Sequence, residues 1–134
     1  MFQLFYVSVS TLSDADAHSE IEKIVNGSII YNAAQGITGA LIFARGHFAQ
    51  ALEGDEGRVD TLMEAIVRDA RHRRVTVVER SQIAQPRFAP WSMAYDGSAS
   101  YIGGPIESLL KATGREKLEN IRRIYSLMDE LTAS

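Results

Sequence analysis

The stretch Tyr31 to Gly54, YNAAQGITGALIFARGHFAQALEG, decides how the rest of this chain is read. It holds the end of an amphipathic helix, a glycine stop at Gly36, and two strand-like segments, Ile37 to Ala44 and His47 to Glu53, flanking Arg45-Gly46. Glycine supplies the positive φ of a tight turn, so the two segments are expected to form a hairpin. Two uncharged amides stand where periodicity calls for apolar residues. Ile21, Ile24, Val25, Ser28, Ile29 and Asn32 share one helical stripe, and Asn32 ends it. Gln50 has the parity of Phe48 and Leu52, which places it on their face of a strand. A buried amide without partners costs about 1–3 kcal/mol, so each must bond to protein, water or a bound molecule.

Upstream of this stretch, Phe2 to Ser10 alternates Leu4, Tyr6 and Ser8 against Phe5, Val7 and Val9. Apolar groups on both faces predict a strand covered on both sides. A polar loop, Thr11 to His18, leads into a helix from about Asp16 to Ala34, with Ser19 and Glu22 as a capping box if it starts late. Downstream, Val59, Leu62, Met63, Ile66 and Ala70 form the stripe of a second helix, which runs into the charged stretch Arg68 to Arg74. Val75 to Ala84 reads as a β-branched strand. Pro86 and Pro90 bracket a loop, and Trp91 to Tyr95 reads as a last short strand.

The order βαββαββ predicts an α+β, ferredoxin-like sandwich, with both helices on one side of an antiparallel-dominated sheet. Two additional C-terminal helices follow, Pro105 to Ala112 and Glu116 to Leu131, with Thr113 and Glu116 as a capping box for the second. Its apolar seam is Leu118, Ile121, Ile124, Tyr125, Met128 and Leu131. The expected division is a core at residues 1–97 and a helical extension at 98–134 that packs on the open sheet face.

With 134 residues, 46% of them hydrophobic, the chain suits one packed domain. A net charge of -3 gives no general attraction to nucleic acid or anionic lipid, and neither is expected as a partner. No apolar run reaches the roughly 18 residues of a spanning helix. The N-terminus opens as a strand without the basic flank of a signal peptide, so the expected location is cytoplasmic. The absence of cysteine excludes disulfides, thiolate metal sites and flavin-cysteine photochemistry. None of the three histidines has a second histidine at ligand spacing, and no metal site is expected.

No phosphate loop, dinucleotide fingerprint, nucleophile elbow or inward carboxylate pair supports conventional catalysis. The expected core face instead carries Tyr6, Asn32, Gln50, Trp91 and Met93, a neutral, hydrogen-bonding and redox-capable set. Taken singly, Tyr6 is an ordinary core tyrosine, Trp91 and Met93 are filling, and Arg68 to Arg74 is a solvated helix end. Taken together, Tyr6, Gln50 and Asn32 converging on the core leave many donors and acceptors for one small site to satisfy.

In order along the chain stand a strand tyrosine (Tyr6), an asparagine before GITGAL (Asn32 to Leu41), F-x-Q-x-L-E-G (Phe48 to Gly54), D-x-R-H (Asp69 to His72) and W-x-M (Trp91 to Met93). As a set these motifs resemble the BLUF domain, a family of blue-light sensors that use flavin. The resemblance covers about Phe2 to Tyr95. It implies a ferredoxin-like sandwich with the flavin ring between the two helices, and FAD as the expected cofactor with FMN as the alternative.

Residue by residue, the resemblance implies that Asn32 bonds the polar ring edge. Ile24 and Ile66 sandwich the ring and Ser28 lines it, while Asp69, Arg71 and His72 stand at the exit, with Arg71 as the anion contact. Gln50 bridges Tyr6 and the ring. Light-driven electron and proton transfer from Tyr6 and rearrangement of Gln50 would then reach Met93 or Trp91 and the C-terminal helices. Tyr31 stands where members often have histidine or asparagine, so the contact beside Asn32 is phenolic or absent. Ala70 replaces a common proline, which should lengthen the second helix slightly.

With no cyclase, phosphodiesterase or DNA-binding segment following, the chain resembles the short, stand-alone type. Such a receptor is expected to be non-enzymatic, with output to an unidentified signalling protein or a homo-oligomer, a dimer or larger ring. Two other readings are a small flavin-dependent oxidoreductase and an interaction domain without chromophore.

Overall fold

The computed structural model describes residues 1–98, 100–111 and 115–132. Its elements are β1 (Phe2–Ser10), α1 (Asp14–Gln35), β2 (Thr38–Ala44), β3 (His47–Gly54), α2 (Glu56–Arg68), β4 (His72–Gln82), β5 (Ala94–Asp96), α3 (Gly103–Leu109) and α4 (Arg115–Thr132). A short 3₁₀ turn, Ser100–Ile102, precedes α3. One five-stranded sheet has the order β4-β1-β3-β2-β5, antiparallel except for the parallel pairing of β5 with β2. This is the α+β, ferredoxin-like arrangement that the element order predicts.

Local chemistry sets the boundaries. Ser13 caps α1 by accepting from the Asp16 amide at 3.3 Å, so the helix starts before the expected Asp16 and Ser19 and Glu22 lie inside it. Arg45 and Gly46 both take positive φ, 50° and 76°, the form whose twist matches an antiparallel hairpin. Helix α2 ends at Arg68 and is not lengthened through Ala70. The Asp69 carboxylate accepts from the Arg71 amide at 2.9 Å, a local turn that competes with another helical residue. That turn lets β4 begin at His72, three residues before the expected Val75, and His72 and Arg73 pair with Ser10 and Val9 of β1 instead of ending the helix, with Arg74 (φ 55°) at the register shift that follows.

Gly39 shows why glycine is required inside β2, since a Cβ there would lie 2.3 Å from the Ala51 carbonyl oxygen. The Gly39 amide donates to the Trp91 carbonyl at 3.1 Å. Trp91 is therefore held by its backbone in the loop before β5, and the last strand begins at Ala94 instead of Trp91.

The sheet carries a core on each face. Phe2, Leu4, Tyr6, Leu41, Phe48 and Leu52 pack with Ile21, Val59 and Met63 of α1 and α2. Phe5, Val7, Ala40, Ala49 and Ala51 pack with Phe88 and with Ile106, Ile121, Ile124, Tyr125 and Met128 of α3 and α4. The α4 seam differs from expectation at two positions: Leu118 is exposed and Leu127 is buried. Helix α4 packs on both the sheet and α3, so its apolar surface is wider than a single stripe. Helix α3 starts at Gly103, ahead of the expected Pro105. The expected end at Ala112 and the Thr113 cap lie outside the described residues. No helix among the described residues is long and apolar enough to cross a membrane.

Candidate functional site

Between α1 and α2, above β1 and β3, lies a cavity of about 230 Å³. Its walls include Tyr6, Ile24, Ser28, Asn32, Gln50, Ile66, Asp69, Arg71 and His72. The topology explains the convergence, because β1 and β3 are central strands and Tyr6 and Gln50 are Cα partners in their register. Both amides of the opening sequence are buried here, at 1% exposure for Asn32 and 4% for Gln50.

Their bonding differs. Asn32 Nδ2 donates to the Ser92 carbonyl at 3.0 Å, while its buried Oδ1 has no hydrogen-bond partner among the described residues. Gln50 accepts from the Tyr6 hydroxyl through Oε1, and its Nε2 donates to Met93 Sδ at 3.7 Å. Desolvation and the nearby Asp69 carboxylate raise the Tyr6 pKa well above the ordinary phenol range, so Tyr6 is the proton donor of this pair. A thioether is a weak acceptor, which leaves the amide firmly held at one end and loosely at the other.

Met93 and Trp91 do not share a face. Met93 is buried beside Gln50, whereas Trp91 is 40% exposed and does not line the cavity. Strand alternation was the basis for pairing them, and it fails because both precede β5.

At the far wall, Asp69 holds Arg71 through both carboxylate oxygens, at 2.9 Å and 2.6 Å, and Glu20 approaches the same guanidinium at 3.7 Å. Arg71 keeps the Asp69 carboxyl below its ordinary pKa, chiefly by these side-chain hydrogen bonds. His72 Nε2 faces the Ile66 carbonyl, which can only accept, so Nε2 donates to it, while His72 Nδ1 and Ser8 Oγ are hydrogen-bonded at 2.8 Å. Together the two bonds tie the last turn of α2 to β1 through His72.

Several cavity residues escaped the sequence reading: Lys23, Gly27, Leu41, Phe48, Leu62 and Ala65. Gly27, Leu62 and Ala65 are one helical turn from Ile24, Ile66 and Asp69, and the spacing i±3 or i±4 could have supplied them. Tyr31 also lines the cavity.

Does this set fit a flavin? The orphaned Asn32 Oδ1 is an acceptor aimed at a missing donor, and the ring's imide edge provides N–H beside C=O. Flat apolar walls, Ile24 on α1 and Ile66 on α2, suit an aromatic ring. The residues fit.

A family model described as "BLUF: Sensors of blue-light using FAD" matches residues 1–94. No curated protein sequence matches the chain. Among solved structures, the ground state of BlsA is 26% identical, with a TM-score of 0.77 over 99% of this chain and 88% of its own. BlrB, described as a BLUF protein in its dark state, is 28% identical with a TM-score of 0.76, over 94% of this chain and 95% of its own. BlrP1 of Klebsiella pneumoniae, in a manganese and cyclic diGMP complex, is 26% identical with a TM-score of 0.65, over 96% of this chain but 32% of its own. The motifs, the fold and the matched residues agree: this chain belongs to the BLUF family and is a flavin-binding sensor of blue light.

Proposed function

We propose that the cavity between α1 and α2 is the flavin site, and that Tyr6, Gln50 and Met93 form its responsive part. The unpaired Oδ1 of buried Asn32 carries this reading, because a ring with an imide N–H satisfies it. Asn32 then acts as a fixed anchor, with its other end held on Ser92. Ile24 and Ile66 flank the ring and Ser28 lines it, while Asp69, Arg71 and His72 stand where the ribityl chain leaves. The cavity is below the roughly 300 Å³ of ordinary ligand pockets, so it suits the ring while the tail lies outside. Arg71 is the anion contact for the phosphate, with Lys23 beside it on the cavity wall.

When bound, a flavin supplies absorption of blue light and a strong oxidant on excitation. Tyr6 holds a proton on its hydroxyl against Gln50 Oε1, ready to move along a bond already formed. Gln50 can re-pair by rotation or tautomerisation without creating a buried charge, which a carboxylate in its place could not do. Because Met93 Sδ holds the amide weakly, leaving it costs less than a typical hydrogen bond of about 0.5–1.5 kcal/mol. Trp91 lies outside this set, its backbone bonded to Gly39 and Phe88.

The proposed cofactor is FAD, the flavin named for the family. The proposed division of labour is a flavin-binding core at 1–97 and an output extension at 98–134. The receptor is proposed to act without turnover, in the cytoplasm, through a partner protein or a homo-oligomer. In support, BlrP1 carries the matched region within a chain about three times as long.

An absorption spectrum of the flavin-loaded protein before and after blue light tests the reading. A reversible red shift of the flavin band is expected, reduced or lost in Tyr6→Phe. Failure to take up FAD or FMN would refute the assignment of the cavity, and chromatography of the released cofactor decides between the two.

A further inference from the structure

One ionisable group buried in the sheet has no part in the photochemistry described above. Glu53 lies on β3 three residues beyond Gln50, so its side chain emerges on the opposite face, and it is fully buried. Four donors converge on its carboxylate. Oε1 accepts from Thr38 Oγ1 at 2.8 Å and from the Phe88 amide at 2.7 Å; Oε2 accepts from Gln3 Nε2 at 3.1 Å and from the Arg87 amide at 2.9 Å.

Two of these donors belong to the loop between β4 and β5. The same loop supplies the Ser92 carbonyl to Asn32 and Met93 Sδ to Gln50. It is thus gripped from the cavity side by both amides and from the other side by Glu53. Beyond Glu53 the contacts continue into α4. Gln3 Oε1 accepts from the Tyr125 hydroxyl at 3.2 Å, and the Arg87 guanidinium bonds Asp129 at 2.7 and 2.9 Å and lies 4.3 Å from the Tyr125 ring centroid. Phe88 stacks on Tyr125 with ring centroids 6.4 Å apart.

We propose that Glu53 is a positioning residue that couples the Gln50–Met93 contact to α4 through the Arg87–Phe88 amides. A carboxylate is required because each oxygen faces a backbone N–H that cannot rotate away. Glutamine would turn its NH₂ toward either Arg87 N or Phe88 N, donor against donor, and free that end of the loop. When Gln50 releases Met93, the loop shifts against a fixed Glu53, and Arg87 and Phe88 carry that shift to Asp129 and Tyr125. The coupling rests on flavin occupying the cavity.

The test uses the full chain loaded with FAD and reads two signals, the light-induced shift of the flavin band and amide hydrogen exchange of α4 in the dark and under illumination. In the unmodified protein, α4 exchange is expected to differ between dark and light. In Glu53→Gln the red shift is expected to persist, dark α4 exchange to rise roughly tenfold, and the difference between dark and light to vanish. A purely structural role would raise exchange equally in both states and keep the difference, which would overturn the coupling. Should Glu53→Gln not fold, Asp129→Ala cuts only the exposed end of the path. The dark-to-light difference should then fall at least about twofold, as expected for the loss of a partly exposed ion pair, and an unchanged difference would overturn the proposal. A red shift without any α4 response in the unmodified protein also overturns the coupling, whereas absence of the shift itself counts against the flavin site.

Discussion

The two faces of the sheet are built from the same strands and packed to different ends. Toward α3 and α4, Phe5, Ala40, Ala51 and Phe88 close against Ile106, Ile124 and Met128 in an apolar core whose polar members are mutually bonded. Toward α1 and α2, the helices stand apart over a cavity, a buried amide oxygen is unpaired, and Gln50 is held at one end by a thioether. The closed face stores stability and the open face stores potential for change. Alternation along β1 and β3 lets one backbone serve both, because neighbouring residues address opposite sides.

Substitutions should separate the two faces. The largest expected effect is on the open side, where Gln50→Leu removes the bridge between Tyr6 and Met93 while keeping the side chain's bulk. We expect the flavin to remain bound and the light-induced shift to be lost completely; an intact shift in difference spectra would break the assignment of roles to the faces. On the closed side, Ile124→Ala should cost about 2–5 kcal/mol of stability, as core truncations do. Its red shift should survive at temperatures below the lowered melting point, and loss of the shift in folded protein would show that the faces are not separable.

The smallest effect is electrostatic. Arg71 depresses the Asp69 pKa, so the folded state prefers the carboxylate ionised. This stabilisation is fully present above the ordinary carboxylate range and disappears as pH falls through the lowered folded value. The pair is partly exposed, so Asp69→Asn should cost under about 1 kcal/mol at neutral pH. Melting curves of the two proteins should converge on acidification, and a gap that widens would reverse the sign.

Much of the open face was legible in the sequence because periodicity reports on it directly. Asn32 and Gln50 broke apolar patterns, and a broken pattern is visible without a structure. The closed face hid its polar node for the opposite reason: Glu53 sits among Ala49, Ala51 and backbone donors from a distant loop, and no sequence rule brings Arg87 and Phe88 to it. The loop also misled the reading of Trp91 and Met93, since alternation applies only to residues within a strand. Likewise, Ala70 looked helical until Asp69 bonded the Arg71 amide, a choice made by one local side chain.

One last consequence follows from the pairing of β1 with β3. Tyr6 and Gln50 face one another within a run of eight matched positions, from Phe2 opposite Gly54 to Val9 opposite His47. Their spacing is fixed like two teeth of a zipper, because a slip by one position would set Tyr6 opposite Ala49 or Ala51 and turn Gln50 to the other side of the sheet. Loosening of the helices above, or the entry and departure of a chromophore, leaves that alignment unchanged. Only opening the centre of the sheet separates the two residues, so the sensor's reference geometry lasts as long as the fold itself.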